Sequence, residues 1–386
     1  MDSGVSIISI PIIVTIIVFA IMVFIPFFIA FTELMRPRDN QPLFIEMLNL
    51  KDPLYFGKSF KKLVGKNIEK TVVNPDTESE IQLSKLEKIE VAPSKSLPRK
   101  SKITHILYVS ESLETEERVV FSKEIYTKGK GWLGPQNMLR SIYGEENITI
   151  GPRSKVTRWI CSEGNLTVGD RCYLGRNAAA EGQFTMDIKC RFHGLFGRPI
   201  ITVRGISNVD MSFFSSFRYP EYHPVKRESS WKIYQKHVSV NCPVDTDEDE
   251  ANPTPVVEER QWRVTDSYVR ILPHTLIYEN FISRRNLFIG EGCTIHGCIK
   301  SYGNIQIGRN SIVYGNVFAE GDIKIENNCI ILGHVFSQSG IYISNGVKIS
   351  RPDTVKSVIG KKRIELGHDV IIFGYLLTEG VGVVHG

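Results

Sequence analysis

Seven cysteines and nine histidines are the side chains with the widest chemical reach in this 386-residue chain. Cys172 and Cys190 lie eighteen residues apart, and Cys293 and Cys329 thirty-six. A thiolate can attack an electrophile or hold a metal, but a metal site needs ligands that converge, usually with histidine or a Cys-x-x-Cys spacing. Only Cys172 and Cys190 are neighbours in the pattern, so the cysteines read as small packing residues and no metal or cofactor is expected. His193, His274, His296, His334 and His368 could each act as a general base, yet their spacing scatters them over outward positions. Gly57-Lys58-Ser59 looks like the end of a phosphate-binding loop, but that loop requires glycine where Asp52 stands. Residues 52–63 read instead as a juxtamembrane basic-aromatic patch, laid against anionic lipid or docked as a helix.

The elements that would position these side chains follow from a repeat. Residues 285–302, 303–320 and 321–338 align without a gap as RNLFIGEGCTIHGCIKSY, GNIQIGRNSIVYGNVFAE and GDIKIENNCIILGHVFSQ. Position 3 is Leu287, Ile305, Ile323; position 5 is Ile289, Ile307, Ile325; position 13 is Gly297, Gly315, Gly333. The frame extends to 267–284 and 339–356 and, after an interruption near 352–361, to 362–379. Upstream, 146–163, 164–181 and 182–199 obey it as well. Apolar residues at alternate positions mean strands with one face inward, and three such strands per eighteen residues describe a three-sided coil. The chain is therefore read as all-β: a three-sided β-solenoid (β-helix) of about nine 18-residue coils, preceded by one transmembrane α-helix. At ~4.8 Å per coil the stack would stand on the order of 43 Å tall. Position 9 holds Cys172, Cys190, Cys293 and Cys329, with Ser154, Thr275 and Ser311 in other coils, as an inward corner filled by small side chains would require.

The solenoid falls in two parts, 146–199 and 267–386, around an insert at 200–266 that carries aromatics, the acidic run 245–250 and His223 and His237. Before it, 103–145 reads as a small β-rich cap, 71–102 as a polar linker and 33–70 as a basic juxtamembrane segment. Residues 5–32 contain no charge and are long enough to span a bilayer, after a non-cytoplasmic terminus of four residues. Arg36, Arg38, Lys51, Lys58, Lys61 and Lys62 follow that stretch and no Lys or Arg precedes it, which sets the C-terminal bulk on the cytoplasmic side of the inner membrane. A formal charge of +5, with 23% charged residues and 42% hydrophobic, excludes wholesale disorder and gives no reason to expect nucleic acid as a partner.

The run 303–343 resembles the bactofilins, bacterial polymer-forming cytoskeletal proteins. The shared features are Gly303 and Gly321 opening coils as Gly-Asn/Asp-Ile, the steps 315–317 and 333–335, and Ala-Glu-Gly-Asp at 319–322. The resemblance implies a right-handed, three-sided β-helix that polymerises end to end as a membrane-associated, non-enzymatic scaffold for envelope or shape-determining machinery. The expected partners are the lipid bilayer through 5–32, further copies of this chain, and envelope proteins of unspecified kind. Bactofilins are usually shorter and lack a full membrane helix, a long pre-solenoid region and an insert. The pattern is also similar in part to hexapeptide-repeat acyl- or nucleotidyl-transferases: Ile289-Gly290-Glu291-Gly292-Cys293-Thr294 fits their hexad, but Ile299 breaks the next one. On that alternative His223 or His237 would be the base. An open sheet edge templates further strands, and the last coil, with Ile372, Phe373, Tyr375, Leu376 and Leu377, is the expected place of self-association.

Overall fold

The computed structural model describes residues 14–15, 17–25, 52–71, 78–85, 87–205, 233–234, 262–266, 268–352 and 354–386. Among the described residues no helix is long and apolar enough to cross a membrane. Of the expected 5–32 span, 14–15 and 17–25 are helical, in a unit of their own (1–51), and the remainder lies outside the described residues. His223, His237 and the acidic run 245–250 lie outside them too.

Residues 52–386 form one unit built almost wholly of short strands. In the second half each strand pairs in parallel with its counterpart eighteen residues on: Val269 with Leu287, Leu287 with Ile305, Ile305 with Ile323 and Ile323 with Ile341. At the interruption the step lengthens, Ile341 pairing with Ile364. Glycines tighten the stack where another coil's backbone comes close. A Cβ at Gly315 would sit 2.2 Å from the Gly297 carbonyl oxygen, and one at Gly321 would sit 2.1 Å from Asn304 Oδ1. That same Oδ1 accepts from the Asp322 N–H at 2.8 Å, as Asn286 Oδ1 does from the Asn304 N–H at 2.9 Å. Gly-Asn-Ile at a coil start is thus a side-chain ladder running through a gap that only glycine leaves open.

Three expectations about extent are corrected. The solenoid has about thirteen coils rather than nine, because coiling begins far upstream of residue 146. Lys88–Leu97, expected as linker, pairs in parallel with Ile106–Thr115, which pairs with Glu124–Thr127 and Lys130–Leu133. The 103–145 segment is therefore stack, not a separate cap. Its frame is hidden in sequence because partners are seventeen residues apart at Ile89/Ile106, Ser141/Glu124 and Ile148/Gly131. Thirdly, the insert is shorter than 200–266: Ile200 to Thr202 complete the strand Arg191–Thr202, and Trp262–Thr265 already pairs with Asn280–Ser283.

The two halves meet tail to tail. Arg191–Thr202 ends the first stack and Ile371–Val384 ends the second, and they pair antiparallel around all three sides: Arg191 with Val383, Leu195 with Leu376, and Ile200 with Ile372. One apolar core runs through the junction, from Leu97 and Leu107 through Leu195 and Leu376 to Ile271.

One helix, α1 (Tyr55–Thr71), lies on the first stack. Asp52 starts it, its Oδ1 accepting the Leu54 N–H at 3.0 Å, with Pro53 just inside where a missing N–H is harmless. Leu54, Gly57, Phe60 and Val64 recur at three- and four-residue steps, so they share one face, and that face is buried.

Candidate functional site

The cysteine corner is a hydrogen-bonded ladder. Cys172, Cys190, Cys293 and Cys329 are buried, and each thiol donates to a carbonyl of the preceding coil: Gly151 at 3.3 Å, Gly169, Leu272 and Gly308 at 3.1 Å. Ser311 donates to Gly290 at 3.1 Å in the same way. A small donor is what the corner selects, so Cys, Ser and Thr alternate there. Burial pushes the Cys329 thiol up to about 11, and a hydrogen bond with Cys172, followed by burial, raises Cys190 further. Such thiols are poor nucleophiles at neutral pH. Among the described residues no three His, Cys, Asp or Glu side chains converge as a metal would require.

The described histidines stand apart. His296 is stacked between Tyr278 and Tyr314 at 4.7 and 4.5 Å, His193 faces the Tyr173 hydroxyl at 3.3 Å, and His368 pairs with Asp369 at 2.7 Å. His334 Nδ1 accepts the Ser357 N–H at 3.0 Å; burial and then the Lys356 charge lower its pKa.

The most elaborate surface is the one under α1. Tyr108, Tyr126 and Tyr143 stack edge to face up the outward side of the first half, with ring centroids 4.9 and 5.2 Å apart. Cys161, Ala179 and Phe196 continue the column, and Leu54, Phe60 and Val64 close over it. Glu145, Glu163 and Glu181, eighteen residues apart, form a parallel acidic row. Lys61 reaches Glu145 at 3.0 Å and Glu163 at 3.3 Å, and Lys58 reaches Glu181 at 3.1 Å. Burial alone would lower both ammonium pKa values, but hydrogen bonds to Glu145 and Glu163 for Lys61, and to Asp52 and Glu181 for Lys58, outweigh it and raise them. The Tyr126 and Tyr143 hydroxyls donate to Glu145 and Glu163, and burial, then those bonds, push their pKa values far up. Each exposed ion pair is worth about 0–1 kcal/mol, whereas each fully buried apolar side chain is worth about 1.5–3 kcal/mol. Apolar burial therefore holds α1, and the pairs set its register. Of the two readings of 52–63, the docking helix is the one found. Gly57, whose likeness to a phosphate loop the sequence already rules out, is glycine because a Cβ would lie 2.5 Å from the Tyr143 ring and 2.6 Å from Cys161 Cβ. The Tyr and Glu rows escape sequence reading because they occupy outward positions, although the eighteen-residue spacing of Glu163 and Glu181 was a signal.

The last coil does not offer a free edge. Leu376, Tyr375 and Ile372 pair with Leu195, Phe196 and Ile200 of the same chain, and Leu377 with Gly194. Ile372 and Leu376 are fully buried, while Leu377 is 38% exposed. Phe373 lies in the same strand, between Ile372 and the Gly374–Gly197 pair. The open edge expected of this coil is instead occupied by the first stack over most of its length.

The two ends remote from the junction are different. The carbonyls of Ser101 and Ile103 accept from Val120 and Ser122 of the next coil, so by alternation the N–H and C=O of Lys102 point away from the stack. At the other end the carbonyls of Thr275 and Ile277 accept from Thr294 and His296, and Leu276 points its backbone outward. Antiparallel strands cover parts of both ends, Ser79–Gln82 on Lys88–Val91 and Ile233–Tyr234 on Arg270–Ile271, but no described strand pairs the outer sides at Lys102 and Leu276.

No protein-family model, curated protein or solved structure matches this chain.

Proposed function

We propose that this protein is a membrane-anchored, non-enzymatic β-solenoid scaffold of bactofilin-like character, held to the inner membrane through residues 5–32 with its solenoid in the cytoplasm. The observation that carries the reading is the tail-to-tail junction. It joins two stacks into one rod of about thirteen coils, on the order of 60 Å long at ~4.8 Å per coil, with outward-pointing backbone at both remote ends. Self-association then proceeds by strand addition at Lys102 and Leu276, in place of the last coil, and envelope proteins are the partners positioned along the rod. The hydrogen-bonded thiols and dispersed histidines support a structural role for those side chains.

The test is sedimentation and negative-stain electron microscopy of the full chain in nanodiscs, wild type against Lys102→Pro with Leu276→Pro. Proline removes an outward N–H at each end and no bond within the stack. Oligomers in the wild type that fall to single rods in the variant, with unchanged β-sheet circular dichroism, are expected. A wild type that stays monomeric at every concentration would remove the polymerising part of the reading.

A further inference from the structure

A corner of the first stack is built against two physical preferences at once. Lys100, Arg118, Gln136, Arg153, Arg171 and Lys189 occupy equivalent corners of successive coils, all left-handed, with φ between 55° and 64°. That conformation favours glycine and asparagine, and a long side chain there is strained by roughly 1–2 kcal/mol. The second stack respects the preference, placing His274, Gly292, Asn310, Asn328, Gly346 and Asp369 at its left-handed corners. It contains no Lys or Arg at those positions. The first stack also sets like charges one coil apart, which is unfavourable between neighbouring strands.

Toward the junction this corner becomes a groove of about 1050 Å³. It is lined by Lys155, Thr157, Arg171, Tyr173, Lys189, Arg191 and residues 383–386, with Lys155, Tyr173, Arg191 and Val383 on successive rungs of one sheet. The four cations are exposed. Acids nearby do little to neutralise them. Asp170 reaches Arg171 at 3.4 Å. Asp187 spends Oδ1 on the N–H groups of Ile188 and Gly205, at 2.7 and 3.0 Å. Glu365, one strand beyond Val383, is already paired with His385 at 2.8 Å and Arg363 at 3.0 Å. No ion pair engages Lys155, Lys189 or Arg191 among the described residues. The hydroxyls there are already engaged, Thr157 with the Leu139 and Arg140 carbonyls and Tyr173 with His193, so the cations carry the site.

We propose that this groove is a binding site for a multiply charged phosphate ligand, its oxygens held by Lys155, Arg171, Lys189 and Arg191. Arginine supplies a two-pronged contact to phosphate oxygens and lysine a point charge. Bound phosphate offsets the repulsion along the ladder, which is why cations persist where asparagine would fit better. The same chemistry serves a free polyphosphorylated molecule or the headgroup of an anionic phospholipid. The site is independent of the scaffold reading, since neither remote end contributes to it.

The experiment uses the full chain in phosphatidylcholine nanodiscs. Sodium tripolyphosphate is titrated by calorimetry at several salt concentrations, and flotation is followed with vesicles of phosphatidylglycerol in phosphatidylcholine. Tripolyphosphate binding that weakens as salt rises is expected. Lys155→Gln with Arg171→Gln and Lys189→Gln should weaken it by at least about tenfold, since three charge-assisted contacts are lost. Lys100→Gln with Arg118→Gln, on the same corner but outside the groove, should leave it unchanged. Flotation that tripolyphosphate reverses assigns the headgroup; titration without flotation assigns a free ligand. In the absence of either probe, Arg171→Asn should raise the melting temperature, whereas a residue retained for structure would lower it. Failure of both probes to bind, or equal binding by the triple variant, overturns the proposal.

Discussion

A side chain in this stack is chosen by what the neighbouring coil presents to it. At the cysteine corner the neighbour presents a carbonyl, so a small donor is required. Cys293→Ser keeps the bond to Leu272 and should change stability by less than about 1 kcal/mol, while Cys293→Val loses it and overpacks the corner, costing about 1–3 kcal/mol. Urea unfolding of the two variants separates donor chemistry from size. The smallness of position 9 was legible from sequence; the reason was not, because the acceptor belongs to the backbone of another coil. Lys348 is the converse case, a cation among buried neighbours, 8% exposed, whose burial pulls its pKa from 10.5 down to about 8. Below about pH 8 both folded and unfolded chains hold the proton, and the folded chain bears the full desolvation penalty. Between about 8 and 10.5 the unfolded chain binds more protons, so this contribution to stability rises with pH. The stability advantage of Lys348→Met over wild type should therefore shrink between pH 7.5 and pH 10, on the order of the ordinary lysine titration range. The buried thiols titrate alike in both proteins and cancel. An advantage independent of pH would contradict the buried-cation account.

Among the elements, α1 shows how partial a one-dimensional reading is. Its charges and aromatics are plain in residues 52–63, and they serve lipid and a tyrosine-lined sheet equally well on paper. What decides between them is the column Tyr108–Tyr126–Tyr143 and the acidic row Glu145–Glu163–Glu181, brought together only by coiling. Gly57→Leu should push α1 off this column, exposing Tyr126 and Tyr143. The expected outcome is faster protease cleavage within 52–71 with the solenoid's circular dichroism retained; cleavage at the wild-type rate would mean that α1 tolerates a gap over Tyr143. The strands themselves were legible over 146–199 and from 267 onward, where apolar residues recur at an eighteen-residue step broken only near 352–361. They faded upstream of 146, where seventeen-residue steps slip the frame and tyrosines replace aliphatic residues on the outward side.

For the whole molecule the decisive feature is the antiparallel seam between the two stacks. A parallel stack writes its register as a repeat. An antiparallel seam leaves no period, because Arg191 meets Val383 while Ile201 meets Ile371. Sequence reading therefore finds a last coil with an apolar strand and infers an open edge, where the chain has closed the edge upon itself. The consequence for mutation is direct: Leu376→Asp places a charge in the core and should unfold the junction, losing at least about 3 kcal/mol. The measurement that tests the seam most directly is amide hydrogen exchange of the full chain, read by mass spectrometry over 191–202 and 371–384. Pairing on both sides predicts slow exchange over 371–377 and 382–383 and their partners in 191–201, including the alternate amides that an edge strand would leave to solvent. Loss of about half of the amide protons of 371–384 within seconds, as an unpaired edge requires, would contradict the joined rod and return the last coil to the role of an open end.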